Sequence, residues 1–228
     1  MAVTAKDIID RVAIDLHDTD HVRWPLANLI LWIGDGLTQI ASAKPSAVSK
    51  TVTLDLDAGT TQTLPAGATT LLRAVRNAAS GRAVTPVERH QMDMFWPNWQ
   101  SPDTVPWRTE VEHISYDPLT PAEFMVFPGN DGTGQLVVVL AGITDTITPN
   151  AGTDGTEAVH FTTDLGLSAH YRSTLTNYVL YRAFAPDQDT ANASARAMAY
   201  LQLVREDLGL RAQTEASQSP DTITQPGA

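Results

Sequence analysis

The chain has no cysteine among its 228 residues. Disulfides, thiolate zinc sites and cysteine nucleophiles are therefore excluded, and the composition suits a reducing compartment. It also lacks the uninterrupted apolar run of about 18 residues that a membrane-spanning helix needs, so no membrane partner is expected. The first sixteen residues carry Lys6, Asp7, Asp10 and Arg11 among their apolar positions. That breaks the apolar stretch of a signal peptide, and none is expected. Positive charge is scarce: 15 Lys and Arg face 26 Asp and Glu, a net charge of −11, with an isoelectric point of 4.8. Such a chain gains nothing from counterion release at DNA phosphates and is not expected to grip DNA. A surface that DNA slides past without sticking is compatible with that charge. There is no phosphate-cradling glycine loop, no nucleophile elbow and no His-Glu-x-x-His. The expectation is a protein that is not an enzyme, with no cofactor and no resident metal.

What is present is a division of patterns. Hydrophobic residues make up 43% of the chain, enough for a core in one large domain or two small ones. Residues 4–44 and 168–208 carry helical spacing. Thr4 reads as an N-cap with Asp7 closing a capping box. Ile8, Val12 and Leu16 follow on one face. Pro25 reads as a first helical position. Leu26, Leu29, Ile30, Ile33, Leu37, Ile40 and Ala41 form the next stripe, ended by Pro45. Gly34 and Gly36 lie inside that helix and cost it roughly 1 kcal/mol each relative to alanine. Small residues there let another helix or subunit approach closely. Tyr171, Leu175, Tyr178 and Val179 open a further helix, which Pro186 breaks. Ala191, Ala195, Met198, Leu201, Val204 and Leu208 make the last, with Gly209 as its cap.

Between these ends the pattern alternates as strands do. Thr51–Leu56 and Thr61–Leu64 read as a hairpin about Asp57–Thr60. Leu71–Asn77, Thr109–Tyr116, Glu123–Phe127 and Gln135–Leu140 read as further strands, the last two joined through Pro128–Gly132. Thr85-Pro86-Val87-Glu88 reads as a capping box opening a short helix to Phe95. The fold class is α+β. A helical bundle domain is built from both termini (1–48 and 166–210), with an inserted β-rich, sandwich-like domain (49–165). Residues 211–228 form an extended C-terminal arm, too poor in large apolar side chains beyond Ile223 to fold alone.

Three clusters invite a chemical reading. His17 and His21, with Asp15, Asp18 and Asp20, resemble metal donors. The second histidine falls beyond the helix end, and the run lacks the glycine and distal glutamate of a calcium loop. A solvated acidic loop accounts for it. Glu110 and Glu112 share one face of an expected strand, as paired carboxylates of a glycoside hydrolase do. Their alternation with Val111 and His113 is equally that of a half-exposed strand. His113 and His160 read as ordinary strand residues. Trp96, Trp99 and Trp107 suit a sugar platform or a base-stacking surface. With only Arg89 and Arg108 nearby, core packing or an interface anchor fits better.

The segments, taken in order, resemble a family of bacteriophage head-to-tail adaptor (connector) proteins, mainly of short-tailed phages. The likeness runs from about Ala5 to Leu208. It rests on Asp7-Ile8-Ile9-Asp10-Arg11, then Asp18-Thr19-Asp20 and Val22-Arg23-Trp24-Pro25. Next come Leu64-Pro65-Ala66-Gly67, Leu71-Leu72 and Val75-Arg76-Asn77. Val87-Glu88-Arg89, Trp96-Pro97-Asn98-Trp99, Tyr116-Asp117-Pro118 and Phe124-Met125-Val126-Phe127-Pro128 follow, and Tyr178–Phe184 with Asp187 closes it. The resemblance implies a structural virion protein at the head-to-tail junction. It implies a homo-oligomeric ring, usually dodecameric, docked beneath the portal protein. The helical domain then lines the channel, and the β-rich domain faces a tail nozzle or tail fibres. DNA passes through without specific binding. Candidate interface residues are Gly34, Gly36, Trp24, Trp96, Trp99, Arg182 and Ile223. The alternatives are a neck or tail-completion protein of a long-tailed phage, or a carbohydrate-binding β-module.

Overall fold

The computed structural model describes residues 2–117, 119–142, 147–186 and 192–218, with 210–218 described as backbone only. In chain order the elements are α1 (Ala5–Leu16), α2 (Leu26–Ala43), β1 (Ser49–Asp55), β2 (Ala58–Thr63), β3 (Ala68–Asn77), β4 (Thr85–Pro86), α3 (Arg89–Phe95), β5 (His113–Tyr116), β6 (Glu123–Asp131), β7 (Gln135–Gly142), α4 (Arg172–Phe184) and α5 (Ala193–Gln218). Helices and two sheets make a mixed α+β fold. The chain divides into two compact units, Met1–Ala47 with Thr144–Ala228, and Val48–Ile143.

In the first unit, Thr4 caps α1 by accepting the Asp7 N–H (3.1 Å), and the Asp7 carboxylate accepts the Thr4 N–H in return. Both bonds of a capping box are present, satisfying two otherwise orphaned donors. The face of Ile8, Ile9, Val12 and Leu16 is buried. His17 ends α1 in the left-handed region. Pro25 is the N-cap of α2, not its first helical residue, because its ψ of 141° is extended. Leu29, Ile33, Leu37 and Ile40 are buried along α2, and α4 packs on α1, α2 and α5.

Two features of this unit differ from expectation. Residues 147–165, expected in the inserted domain, bond instead to the start of α1. Lys6 donates to the Phe161 carbonyl (3.0 Å) and Leu165 to that of Val3 (2.9 Å). Phe161 and Leu165 are buried there, apolar anchors hidden in a polar composition. The last helix, α5, does not stop at Gly209 but continues to Gln218. The first part of the expected extended arm is therefore helical, as suits good helix formers such as Ala212, Gln213, Glu215 and Ala216. Its buried positions are Ala193, Ala197 and Val204, while Met198 is 65% exposed. That stripe is rotated from the expected one.

The second unit is a sandwich. One sheet has the order β1-β7-β3, the other β2-β6-β5-β4. Leu71, Val138 and Leu140 from the first meet Ile114, Phe124 and Val126 from the second in one core. The expected β1–β2 hairpin does not form. β1 pairs with β7 over its whole length, and β2 pairs with β6 in the other sheet. Between them the Gln62 side chain accepts from Asp57 N–H (2.7 Å) and donates to the Asp57 carbonyl (2.8 Å). It mimics a strand partner while the chain changes sheets. β6 and β7 likewise lie in different sheets, and β6 runs through Pro128 to Asp131. Asn130 makes that crossing by accepting from Gly132 and Gly134 N–H.

The capping box at Thr85 is absent. Thr85 and Pro86 pair in parallel with His113 and Ile114 as β4. The Thr85 hydroxyl turns to the Glu112 carbonyl (3.2 Å) and the His113 ring (2.8 Å). The helix α3 begins at Arg89, and the strand expected from Thr109 begins only at His113.

Candidate functional site

In the helical unit the candidate interface residues are largely occupied by the chain itself. Trp24 is buried; its indole N–H donates to the Ala183 carbonyl (3.3 Å) and its ring meets Phe184 edge-on at 6.3 Å. The loop that delivers Trp24 is tied by Asp18, whose carboxylate accepts the N–H groups of Val22, Arg23 and Trp24 (2.9–3.0 Å). Burial pushes the Asp18 carboxyl up, but the three N–H donors, Trp24 first, together outweigh it and hold it below its ordinary value. That is the role of the acidic loop, and the described residues hold no metal-ligating group of three.

The two glycines of α2 differ sharply. A Cβ at Gly36 would lie 2.6 Å from Leu175 Cδ1 and 2.8 Å from Tyr178 Cδ1. Gly36 therefore serves the approach of the chain's own α4, not an open seam for a neighbour. A Cβ at Gly34 would meet nothing within 4 Å. One turn of helix separates neither residue from Asp35, which takes an ion pair from Arg182 (2.8 Å). The Tyr178 hydroxyl, first, and then Asp35 hold the Arg182 proton more tightly than usual. Arg182 stays about one third exposed.

In the sandwich the three tryptophans part company. Trp99 is fully buried with Met92 and Phe127, and its N–H donates to Asp93 (2.9 Å). Trp107 is half-buried against Gly129, where a Cβ would sit 2.5 Å from its ring. Trp96 is 37% exposed and stacks on Phe127 at 4.6 Å and on His113 at 5.9 Å. With Trp99 inside, they form no single sugar platform. Beside Trp96 stand Met94 and Phe95, 59% and 68% exposed. Sequence reasoning missed these two; the signal was an apolar pair at the end of a seven-residue helix, too short to bury both sides.

Glu110 and Glu112 are not a poised acid–base pair. Both face Arg82 (3.8 and 3.4 Å), and Glu112 is also 3.9 Å from Arg108. His160 lies 3.1 Å from Asp154 in a 3-10 turn, not in a strand. Ile223 lies outside the described residues. Among the described residues no helix is long and apolar enough to cross a membrane.

Comparison with known proteins points one way. The family model described as SU10 adaptor protein matches residues 3–224, nearly the whole chain. No curated protein matches.

Proposed function

The chain belongs to the SU10 adaptor protein family of phage structural proteins, and from that membership we propose that it is a ring-forming head-to-tail adaptor of the virion. The ring docks under the portal, joins it to the tail and forms part of the DNA channel. The observation that carries this is the extent of the family match, which takes in both the helical unit and the sandwich. Charge supports it. A net −11 per subunit, repeated around a ring, repels the phosphate backbone and keeps passage from becoming binding. A ring also needs a heterologous contact closed by rotation. Gly34, Trp96 and Arg182 are the candidate residues still open to a neighbour, and Ile223 remains the apolar anchor of the terminal arm.

The test is electron microscopy of the purified protein mixed with its portal, with mass photometry of the protein alone and of the mixture. A ring stacked on the portal with an open channel is expected. A monomer that ignores the portal overturns the proposal. Because α5 runs to Gln218, the arm is tested by deleting residues 219–228. That deletion weakens portal docking and leaves the fold intact; unchanged docking removes the arm from the account.

A further inference from the structure

The sandwich carries an unfilled groove on the outer face of its four-stranded sheet. Its volume is about 290 Å³, and its floor is Thr61, Ser115 and Met125. In the pairing register Met125 stands opposite both Thr61 and Ser115, so the three share one face. Glu88 and Arg89, at the start of α3, line it together with Asp117 and Glu123. Three carboxylates thus face one guanidinium, and Arg89 is already 3.7 Å from Asp93. Asp117 accepts the Leu119 N–H. Glu88 and Glu123 have no ion-pair partner among the described residues.

The floor adds an unpartnered acceptor independent of the carboxylates. Ser115 is only 8% exposed, lines the groove, and its hydroxyl makes no hydrogen bond among the described residues. Its neighbour Ile114 points into the sandwich core, so alternation turns Ser115 outward. Its hydroxyl is not sealed beneath the groove but opens onto it, an acceptor that no side chain of the described residues uses.

The opposite outer face has the complementary charge. On β3, Arg73 pairs in register with Val139 and Arg76 with Val137, while Ala74 and Leu71 pair with the core residues Val138 and Leu140. The two register shifts in that stretch put both arginines on the outer face. Arg73 is exposed and has no ion-pair partner among the described residues; Arg76 donates to the Ala78 carbonyl (3.3 Å). The acid on that face, Asp55, lies at the sheet's end and takes a bond from Gln135 (2.6 Å).

We propose that Arg73 of one subunit inserts into the Glu88–Ser115–Asp117–Glu123 groove of the next, joining sandwiches head to tail. A guanidinium suits the groove because its planar fork can meet a carboxylate with two N–H donors and offer a third to the serine oxygen. The two outer faces of a sandwich point in opposite directions, so a contact between them is heterologous, the kind that makes a ring when the rotation between neighbours closes. The contact rests on the ring proposal and supplies its sandwich-level interface.

The test is a charge swap in the full chain, scored by mass photometry with and without portal. Glu123→Arg and Arg73→Glu each weaken assembly by about tenfold or more, since like charges then meet at the contact. The double variant recovers to within about threefold of the parent, on the additivity logic of coupled pairs. The absence of native cysteine gives a second readout. In R73C/E123C a short bis-maleimide links subunits into a ladder beyond dimer, whereas either single variant stops at dimer. If the parent chain assembles but the swap changes nothing and no ladder forms, the groove contact is wrong and the ring stands. If the parent chain never assembles, the ring proposal fails and takes this one with it.

Discussion

Trp24 in the helical unit and Trp96 in the sandwich were equal candidates as anchors for a neighbour, and the two units treat them oppositely. Trp24 is closed in by Phe184 and bonded to Ala183, on a loop tied by Asp18. Trp96 is backed by Phe127 and His113 yet left 37% exposed beside Met94 and Phe95. Charge does not divide the units in this way. Arg182 has found Asp35 in the helical unit and Arg82, Arg89 and Arg108 have found carboxylates in the sandwich, which still leaves Glu88, Glu123 and Arg73 without ion-pair partners among the described residues. The helical unit spends its distinctive residues on its own packing. The sandwich builds a core beneath and presents the remainder outward, as a module does when its outer faces are meant to be covered.

That comparison breaks most visibly at Trp99, the sandwich tryptophan that is interior. Trp99→Ala removes a fully buried ring and leaves Asp93 without its indole donor. A loss of about 3–5 kcal/mol is expected, the usual cost of emptying so large a site. Urea unfolding measures it. A loss under about 1 kcal/mol, within the range of exposed positions, would make Trp99 a surface residue like Trp96 and erase the distinction drawn within the sandwich.

In the helical unit the corresponding test is Gly36→Val. The added atoms collide with Leu175 and Tyr178, and an overpacked helix contact costs about 2 kcal/mol. Trimming the partner in Gly36→Val/Leu175→Ala tests the cause. The two losses should combine to less than their sum, because the cavity of one receives the bulk of the other. Strict additivity would mean that α2 and α4 do not meet at Gly36.

The helical unit was the more legible of the two in the sequence, for a physical reason. A helix is specified locally: the Thr4–Asp7 box and the stripe from Leu29 to Ile40 each lie within a few turns. A sheet is specified by partners far along the chain. The turn residues at Asp57–Thr60 and Pro128–Gly132 marked only the neighbourhood of the breaks, since β2 already begins at Ala58 and β6 runs on to Asp131, and no local signal said that the chain changes sheets there. Gln62 makes the first of those breaks with its side chain, and Asn130 the second. The Thr85–Glu88 motif had a helix-start pattern, yet parallel pairing with His113 and Ile114 won. For the candidate interface, spacing revealed which residues were special and not what would cover them. Nothing local links Arg182 to Asp35, 147 residues away, and nothing in α2 alone says that Gly36 faces α4 while Gly34 faces outward.

A smaller effect, with a pH signature, is expected at Asp18. Asp18→Ala frees three backbone N–H donors before α2, at a cost of about 1 kcal/mol near neutral pH, as for a lost helix cap. The folded carboxyl lies below its ordinary 3.8. Its contribution is therefore complete above that value and is lost as pH falls through the lowered folded value. Parent and variant should differ in melting temperature at pH 6 and converge well below pH 3.8. A gap that persists undiminished in acid would show that the loop is held by packing of Trp24 and not by the carboxylate.

The smallest effect carries the sharpest contrast, because its two readouts move in opposite directions. Gly34→Ala adds a methyl group that meets nothing within the chain and removes the conformational freedom of glycine from the middle of a helix. The isolated protein should gain about 0.5–1 kcal/mol, the ordinary helix-propensity difference. An isolated chain thus has every reason to carry alanine there. If a neighbouring subunit presses against α2 at Gly34, the same methyl group stands in its way, and assembly on the portal weakens while the melting temperature rises. Melting of the monomer and mass photometry of the portal mixture are then read together. A rise in both places the ring contact away from Gly34. A rise in the first with a fall in the second makes Gly34 an outward-facing concession of the helical unit to its neighbour.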